Sequence, residues 1–223
     1  MVMTSKMVDA FPHRGGQFQI EPDASSGSYF LAAHWLSYVW LSNPTGLSSE
    51  VGCIRVRNWP KTTWQIDARY GDSQELPLVL SRKKDLGDSI MTAIVIAPLG
   101  FAPIRFTDLG RLRVQECERV VALRTELTKC GAKVVEKGDT LAVSPSELHG
   151  VEIETYNDHR MAMCFAILGL KVAGIKLKNP ACVKKTFPNF FQKLAAPPPN
   201  GLGAEIRDGR TGRKLGMNEL FAD

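Results

Sequence analysis

Ten consecutive residues without a formal charge, Met161 to Leu170, follow directly on Glu154-Thr155-Tyr156-Asn157-Asp158-His159-Arg160. Asn157 or Asp158 is a fitting N-cap, and the stretch behind it predicts a helix that is apolar on every face. Such a helix is stable only when it is packed on all sides. Its first turn then directs unpaired N–H groups and partial positive charge at whatever lies before it. His159 and Arg160 concentrate further positive charge at the same end. Two readings stand: a capped core helix whose first turn reaches water, or one wall of an anion site.

The same design recurs upstream. Asp88 stands before a second uncharged run, Ile90 to Ala97, and reads as its N-cap. Asp23 reads as the cap of a third helix, where small residues from Ser25 to Ser28 permit close backbone approach. Further along, Val120, Leu123, Leu127 and Cys130 recur at helical spacing, in a helix that opens at Leu112 and ends at Gly131. Glu116 and Arg119, one turn apart at its start, can share a site, whereas Glu118, Arg124 and Glu126 read as solvated charges. Lys133 to Glu136 and Thr140 to Val143 flank Lys137-Gly138-Asp139 as a hairpin. Gln17 to Ile20, Cys53 to Val56, Ile104 to Phe106 and Gly174 to Leu177 read as strands. Met3 to Phe11 reads as a short helix ended by Pro12, and Ser42 to Ser49 as a loop. Helix-then-strand cycles from Asp23 to Leu194 predict an α/β domain assembled from similar small units.

A net charge of +5 and a pI near 9.0 favour acidic partners, either small phosphorylated molecules or nucleic acid. No arginine-rich run or alternation of aromatic and basic residues is present, which disfavours nucleic acid. The five cysteines (53, 117, 130, 164 and 182) are odd in number and contain no Cys-x-x-Cys pair. Reduced thiols in a cytoplasmic protein are expected, not a disulfide framework or a zinc site. Tyr29 to Leu41, the most apolar early run, is too short to span a bilayer, and the N-terminus has no secretory pattern.

Tyr156-Asn157-Asp158-His159-Arg160-Met161-Ala162-Met163 resembles a signature of the EPSP synthase family. Four other strings resemble that family's motifs in the same order. They are Asp23-Ala24-Ser25-Ser26-Gly27-Ser28-Tyr29, more loosely Trp64 to Tyr70, then Arg113-Val114-Gln115-Glu116-Cys117-Glu118-Arg119, and Lys185-Thr186-Phe187-Pro188. The resemblance implies repeated βαβαββ units with helices inside and sheets outside. It implies transfer of the enolpyruvyl group of phosphoenolpyruvate to the 5-hydroxyl of shikimate-3-phosphate, with no metal or redox cofactor. By the same resemblance Arg119, Arg160 and Lys185 match the cations that hold phosphoenolpyruvate. Glu116 matches the carboxylate that exchanges the methylene proton, Asp88 the partner of the attacking hydroxyl, and His159 a supporting histidine. The chain departs from the motif at Gln115, where the family has lysine, and at Arg111, where it has a shikimate-binding asparagine. Cys117 and Glu118 replace threonine and aspartate.

The resemblance divides the chain into residues 1–20, the end of another domain and its crossover; 21–194, a C-terminal domain; and 195–223. The last part is a proline-rich spacer and a tail that reads as partly disordered. A complementary N-terminal domain is then expected to supply further substrate contacts. The alternatives are the related UDP-N-acetylglucosamine enolpyruvyl transferase, whose motifs fit poorly, and a non-catalytic remnant that binds anions or RNA.

Overall fold

Three helices carrying a single charged residue between them form the centre of the domain. They are α2 (Ala24–Leu41), α3 (Ile90–Ile96) and α5 (His159–Gly169), and they pack against one another. A helix without a polar face has no alternative to burial, and every residue of α3 is buried. The computed structural model describes residues 2–41, 54–71 and 76–223, without the side chains of residues 2 and 38–41. A short helix α1 (Val2–Ala10) precedes the three, exposed along its length.

One four-stranded sheet lies outside these helices. Its strands β1 (Val79–Ser81), β2 (Ile104–Thr107), β3 (Lys133–Lys137) and β4 (Thr140–Ser144) take the order β1-β2-β4-β3. β1 and β2 run parallel, while β4 is antiparallel to both of its neighbours. Pairing places Leu80 beside Phe106, Ile104 beside Val143 and Phe106 beside Leu141, so one buried face meets the helices. The opposite face carries Val79, Arg105 and Val135 into solvent. With α4 (Arg119–Lys129) between β2 and β3, chain order reads β-α-β-α-β-β. A second, shorter cycle follows: β5 (Glu152–Ile153) and β6 (Lys176–Leu177) are parallel across α5, and α6 (Phe190–Ala195) comes after them. The domain is α/β, with helices inside and sheets outside, as expected.

Several expectations change. Gln17 to Ile20 forms no strand, and Ile20 is 76% exposed, because no neighbouring strand pairs with it. Ile54 to Val56 is also not a strand; Cys53 and Ser42 to Ser49 lie outside the described residues. Asp88 does not cap α3. Ser89 occupies that position, and its N–H donates over 3.0 Å to Asp67, from a 3₁₀ turn (Ile66–Gly71). The helix expected from Leu112 is two elements, a 3₁₀ segment (Leu109–Val114) and α4, which begins at Arg119 with Glu118 as its N-cap. Residues 195–223 are folded back onto α6. Cys117, Cys130, Cys164 and Cys182 are free thiols, and no described helix is long and apolar enough to cross a membrane.

Glu126 is not solvated but 1% exposed on α4. Its carboxylate accepts from the Tyr156 hydroxyl at 2.9 Å, the Glu154 N–H at 3.1 Å and Lys129 Nζ at 2.5 Å. These bonds tie α4 to the turn before α5, where Tyr156 and Asn157 are both left-handed at φ 53°. A bulky aromatic residue rarely adopts that conformation, and the surrounding contacts must hold it there. Glu126→Ala empties a buried position and removes the acceptor of all three bonds; it is expected to cost about 2–3 kcal/mol, against about 1 kcal/mol for Glu126→Gln. Urea denaturation of the two variants checks both values.

Candidate active site

Asp158 is the node of the site. As the N-cap of α5 it accepts the Arg160 N–H at 2.8 Å, and its other oxygen accepts Arg119 Nε at 2.7 Å. Arg119, the first residue of α4, is 1% exposed and Asp158 not exposed at all. The remaining donors of that guanidinium reach Gln115 Oε1 at 2.7 Å and Glu116 at 2.5 Å, with Asp88 3.7 Å away. The guanidinium fork therefore joins the starts of α4 and α5 to the loop between the 3₁₀ segment and α4.

Asp88 stands opposite. It accepts from Arg82 Nη2 at 2.7 Å and Gln115 Nε2 at 3.3 Å, and Arg160 Nε lies 3.4 Å away. Burial alone would raise its pKa; the guanidinium of Arg160, and then those of Arg82 and Arg119, outweigh burial and hold it below the usual range. Because Ser89, held by Asp67, stands at the N-cap of α3 in its place, the Asp88 carboxylate is left to face these cations. Asp67 is itself buried, accepts from the hydroxyls of Ser25 and Ser89 at 2.5 Å each, and would meet any side chain placed at Gly87.

Lys185 ends a 3₁₀ segment (Pro180–Lys185) and is 58% exposed, its Nζ 2.7 Å from Glu116. Partial burial works against the charge on Glu116. The bonds from Lys185 and the backbone, with Arg119 nearby, reverse this and bring its pKa down to about 2. His159 is buried, its Nδ1 3.9 Å from Asp158 and without a hydrogen-bond partner among the described residues. Desolvation lowers its pKa despite Asp158, so it is a neutral imidazole at pH 7. Burial also pushes the Cys117 thiol up to about 12, which keeps it protonated. Arg160 lies against the buried Tyr29 hydroxyl, and Asp88 is its one ion-pair partner among the described residues.

Six of the eight residues singled out in the sequence thus form one connected cluster: Asp88, Gln115, Glu116, Arg119, Arg160 and Lys185. His159 lies beside it. Arg111 does not join; it is exposed on the 3₁₀ segment and shares no hydrogen bond or ion pair with the cluster among the described residues. Sequence reasoning missed Arg82, Asp67 and Glu126. Arg82 lies six residues before Asp88 without a motif to mark it, and Asp67 falls in a string whose family resemblance is loose. Glu126 has the ordinary look of a helix-surface charge. Four cations (Arg82, Arg119, Arg160 and Lys185) face three carboxylates (Asp88, Glu116 and Asp158). A multiply charged anion could enter only by displacing carboxylates from these cations.

Fold and cluster first define a class: an α/β domain of βαβαββ design, with a charge-rich site where its inner helices begin. The model of the family of EPSP synthase (3-phosphoshikimate 1-carboxyvinyltransferase) matches residues 4–194, and the chain belongs to that family. Its relatives include the 3-phosphoshikimate 1-carboxyvinyltransferase of Nostoc punctiforme, 35% identical over 193 residues, or 82% of this chain and 44% of that one. The enzyme of the same name from Tolumonas auensis is 37% identical over 191 residues, or 81% of this chain and 44% of that one. Among solved structures, an EPSP synthase from Acinetobacter baumannii superposes with a TM-score of 0.46 at 26% identity, covering 50% of this chain and 27% of that one. The chain thus spans less than half the length of the curated relatives it matches.

The geometry separates two cations by what their loss would do. Arg119→Ala leaves Asp158 buried without its guanidinium and is expected to destabilise the fold by about 3–5 kcal/mol. Lys185→Ala removes one exposed pair and should cost less than about 1 kcal/mol. Urea unfolding of both variants tests this, and equal losses would refute it.

Proposed function

We propose that this chain is the phosphoenolpyruvate-holding half of an enolpyruvyl transferase whose acceptor is shikimate-3-phosphate. The observation that supports it is the convergence of Arg119, Arg160 and Lys185, from three separate segments, on Asp88 and Glu116. In this reading the three cations take the carboxylate and phosphate of phosphoenolpyruvate, the arginines by their forked donors and lysine as a mobile point charge. Asp88 accepts the proton of the 5-hydroxyl as that oxygen bonds to the enol carbon. Glu116 gives a proton to the methylene carbon and takes one back as phosphate leaves. His159 supports this end of the site. Gln115 and Arg111 belong to the acceptor side, where the chain departs most from its family's motif.

Residues 21–194 are the catalytic C-terminal domain in this reading, and 1–20 the end of its neighbour. The exposed Met3, Met7, Val8 and Phe11 along α1 and just beyond it support that division, since they are apolar and uncovered. The remaining substrate contacts come from a complementary N-terminal domain, on another chain or on further sequence of the same polypeptide. A cytoplasmic setting accords with the free thiols.

Two measurements test the reading. The chain of residues 1–223 alone should release negligible phosphate from the substrate pair, and should gain turnover when the N-terminal half of a relative is added. Robust turnover by the chain alone would refute the shared site. Salt-dependent RNA retention, with no turnover in either case, would favour the remnant reading.

Protons provide the second test. An arriving phosphate takes Lys185 and Arg119 from Glu116, so the pKa of Glu116 rises on binding from about 2. A group whose pKa is higher in the complex takes up a proton on binding, so affinity grows as pH falls through the window between the two values. Phosphoenolpyruvate titrations between about pH 5 and 3, which bracket the ordinary carboxylate value of about 4.3, should therefore show a steeper gain for the unaltered chain than for Glu116→Gln. The ligand's own titration is common to both proteins and cancels. Identical slopes would remove Glu116 from the anion's path.

A further inference from the structure

The family match ends at residue 194, yet the chain beyond it is folded in detail against the segment that carries Lys185. The N–H groups of Leu202, Gly203 and Ala204 donate to the carbonyls of Lys193, Ala196 and Leu194 at 3.3, 2.8 and 2.9 Å, closing the end of α6. A hairpin follows, with Arg207 paired to Lys214 and its tip held by Asp208, which accepts from the Arg210 and Thr211 N–H groups. Arg213 then grips Glu219 through two bonds of 3.0 and 2.6 Å and sets a last 3₁₀ turn, Met217–Leu220.

That turn and the three residues after it meet α6 and the Lys185 segment at three points. Gln192 donates to the Met217 carbonyl at 2.8 Å. The Ala222 N–H donates to the Pro188 carbonyl at 2.9 Å, and Lys184 Nζ reaches the main-chain oxygen of Asp223 at 2.9 Å. Leu220 and Ala222 are buried in the same core as Phe190. Lys185 is therefore bracketed, by Lys184 on one side and Pro188 on the other, although its own side chain is exposed and bonded only to Glu116 among the described residues.

We propose that residues 197–223 are a clasp that holds Lys185 against Glu116, with Leu220, Ala222 and Lys184 as its positioning residues. The link to ligand binding rests on the function proposed above; the mechanical link to Glu116 does not. The clasp closes the outer side of the corner between the Lys185 segment and α6. With that corner fixed, the flexible lysine stem has a constant origin, and less freedom is lost when its ammonium meets an anion.

The test uses the full chain with Leu220→Ala and, as a milder variant, Lys184→Met. Opening the clasp should speed exchange of the Thr186, Phe187 and Phe190 amides by at least about tenfold, while α3 and α5 keep their protection. The titration midpoint of Glu116, read by carboxyl NMR, should move up toward its ordinary value as Lys185 loses its place. Phosphoenolpyruvate affinity should fall several-fold, but not fall further when Leu220→Ala is added to Lys185→Met. Unchanged exchange and an unmoved Glu116 midpoint in both variants would overturn the clasp. An equal affinity loss with and without Lys185 would show that the tail acts elsewhere. If the unaltered chain binds no phosphoenolpyruvate, the proposed function fails. In that case local exchange together with the Glu116 midpoint still upholds or overturns the clasp.

Discussion

Arg119 and Asp158 meet at 2.7 Å with almost no exposed surface on either side chain, and the arrangement of the site follows from that contact. Removing two charges from water is costly, and the attraction between them offsets the cost only when the remaining donors and acceptors are also satisfied. Here they are. Asp158 uses its other oxygen to cap α5, and Arg119 spends its other donors on Gln115 and Glu116. The pair therefore fixes where α4 and α5 begin relative to each other. It also fixes the loop of residues 115–118 that leads into α4, because a guanidinium fork admits few orientations. A hydrophobic pair of equal volume could join the same helices, but would leave Asp88, Glu116 and Arg160 with no common reference point.

What the sequence showed and what it hid divide along a physical line. Helix α5, the β3–β4 hairpin and the buried run of α3 were legible because their causes are local: a cap beside an uncharged run, and Gly138 between two alternating segments. β1 and β5, of three and two residues, were not; such strands exist only by pairing with β2 and β6. Gln17 to Ile20 shows the converse, a strand pattern left without a partner. The cap of α3 was misassigned to Asp88 because Ser89 holds that position through Asp67, which lies 22 residues from it in sequence. The six residues of the cluster were legible because the family resemblance marks them in order. Arg111 stands apart from that cluster, since a motif records sequence neighbours and not the direction a side chain takes.

Electrostatically the cluster is a site already occupied by its own carboxylates. Glu116 and Asp88 stand against the cations that would face a ligand, and both have lowered pKa values for that reason. The arrangement keeps Arg119, Arg160 and Lys185 oriented in the absence of substrate, so little reorganisation is needed when an anion arrives. It also makes the basicity of both carboxylates depend on occupancy. An anion that draws the cations away raises the basicity of Asp88 and Glu116 at the same moment. On the function proposed above, proton-transfer capacity would then develop when the reactants are present and be weak when they are absent.

The cations reach that common state by opposite means. Arg119 is held by burial and by four partners, so its position is inseparable from the stability of the fold. Lys185 has one partner among the described residues and lies mostly in solvent, where a single ion pair contributes little and a four-carbon stem retains much of its freedom. An exposed lysine can still be accurate if its backbone is immobile, and that requires packing behind it. Phe190 provides part of this from within, edge-on to Tyr29 at 5.6 Å. The Ala222–Pro188 bond and the buried Leu220 provide the rest from outside. On the function proposed above the division has a logic: a cation that is to leave its own carboxylate for an arriving phosphate cannot also be locked by side-chain contacts, so its rigidity has to come from the main chain.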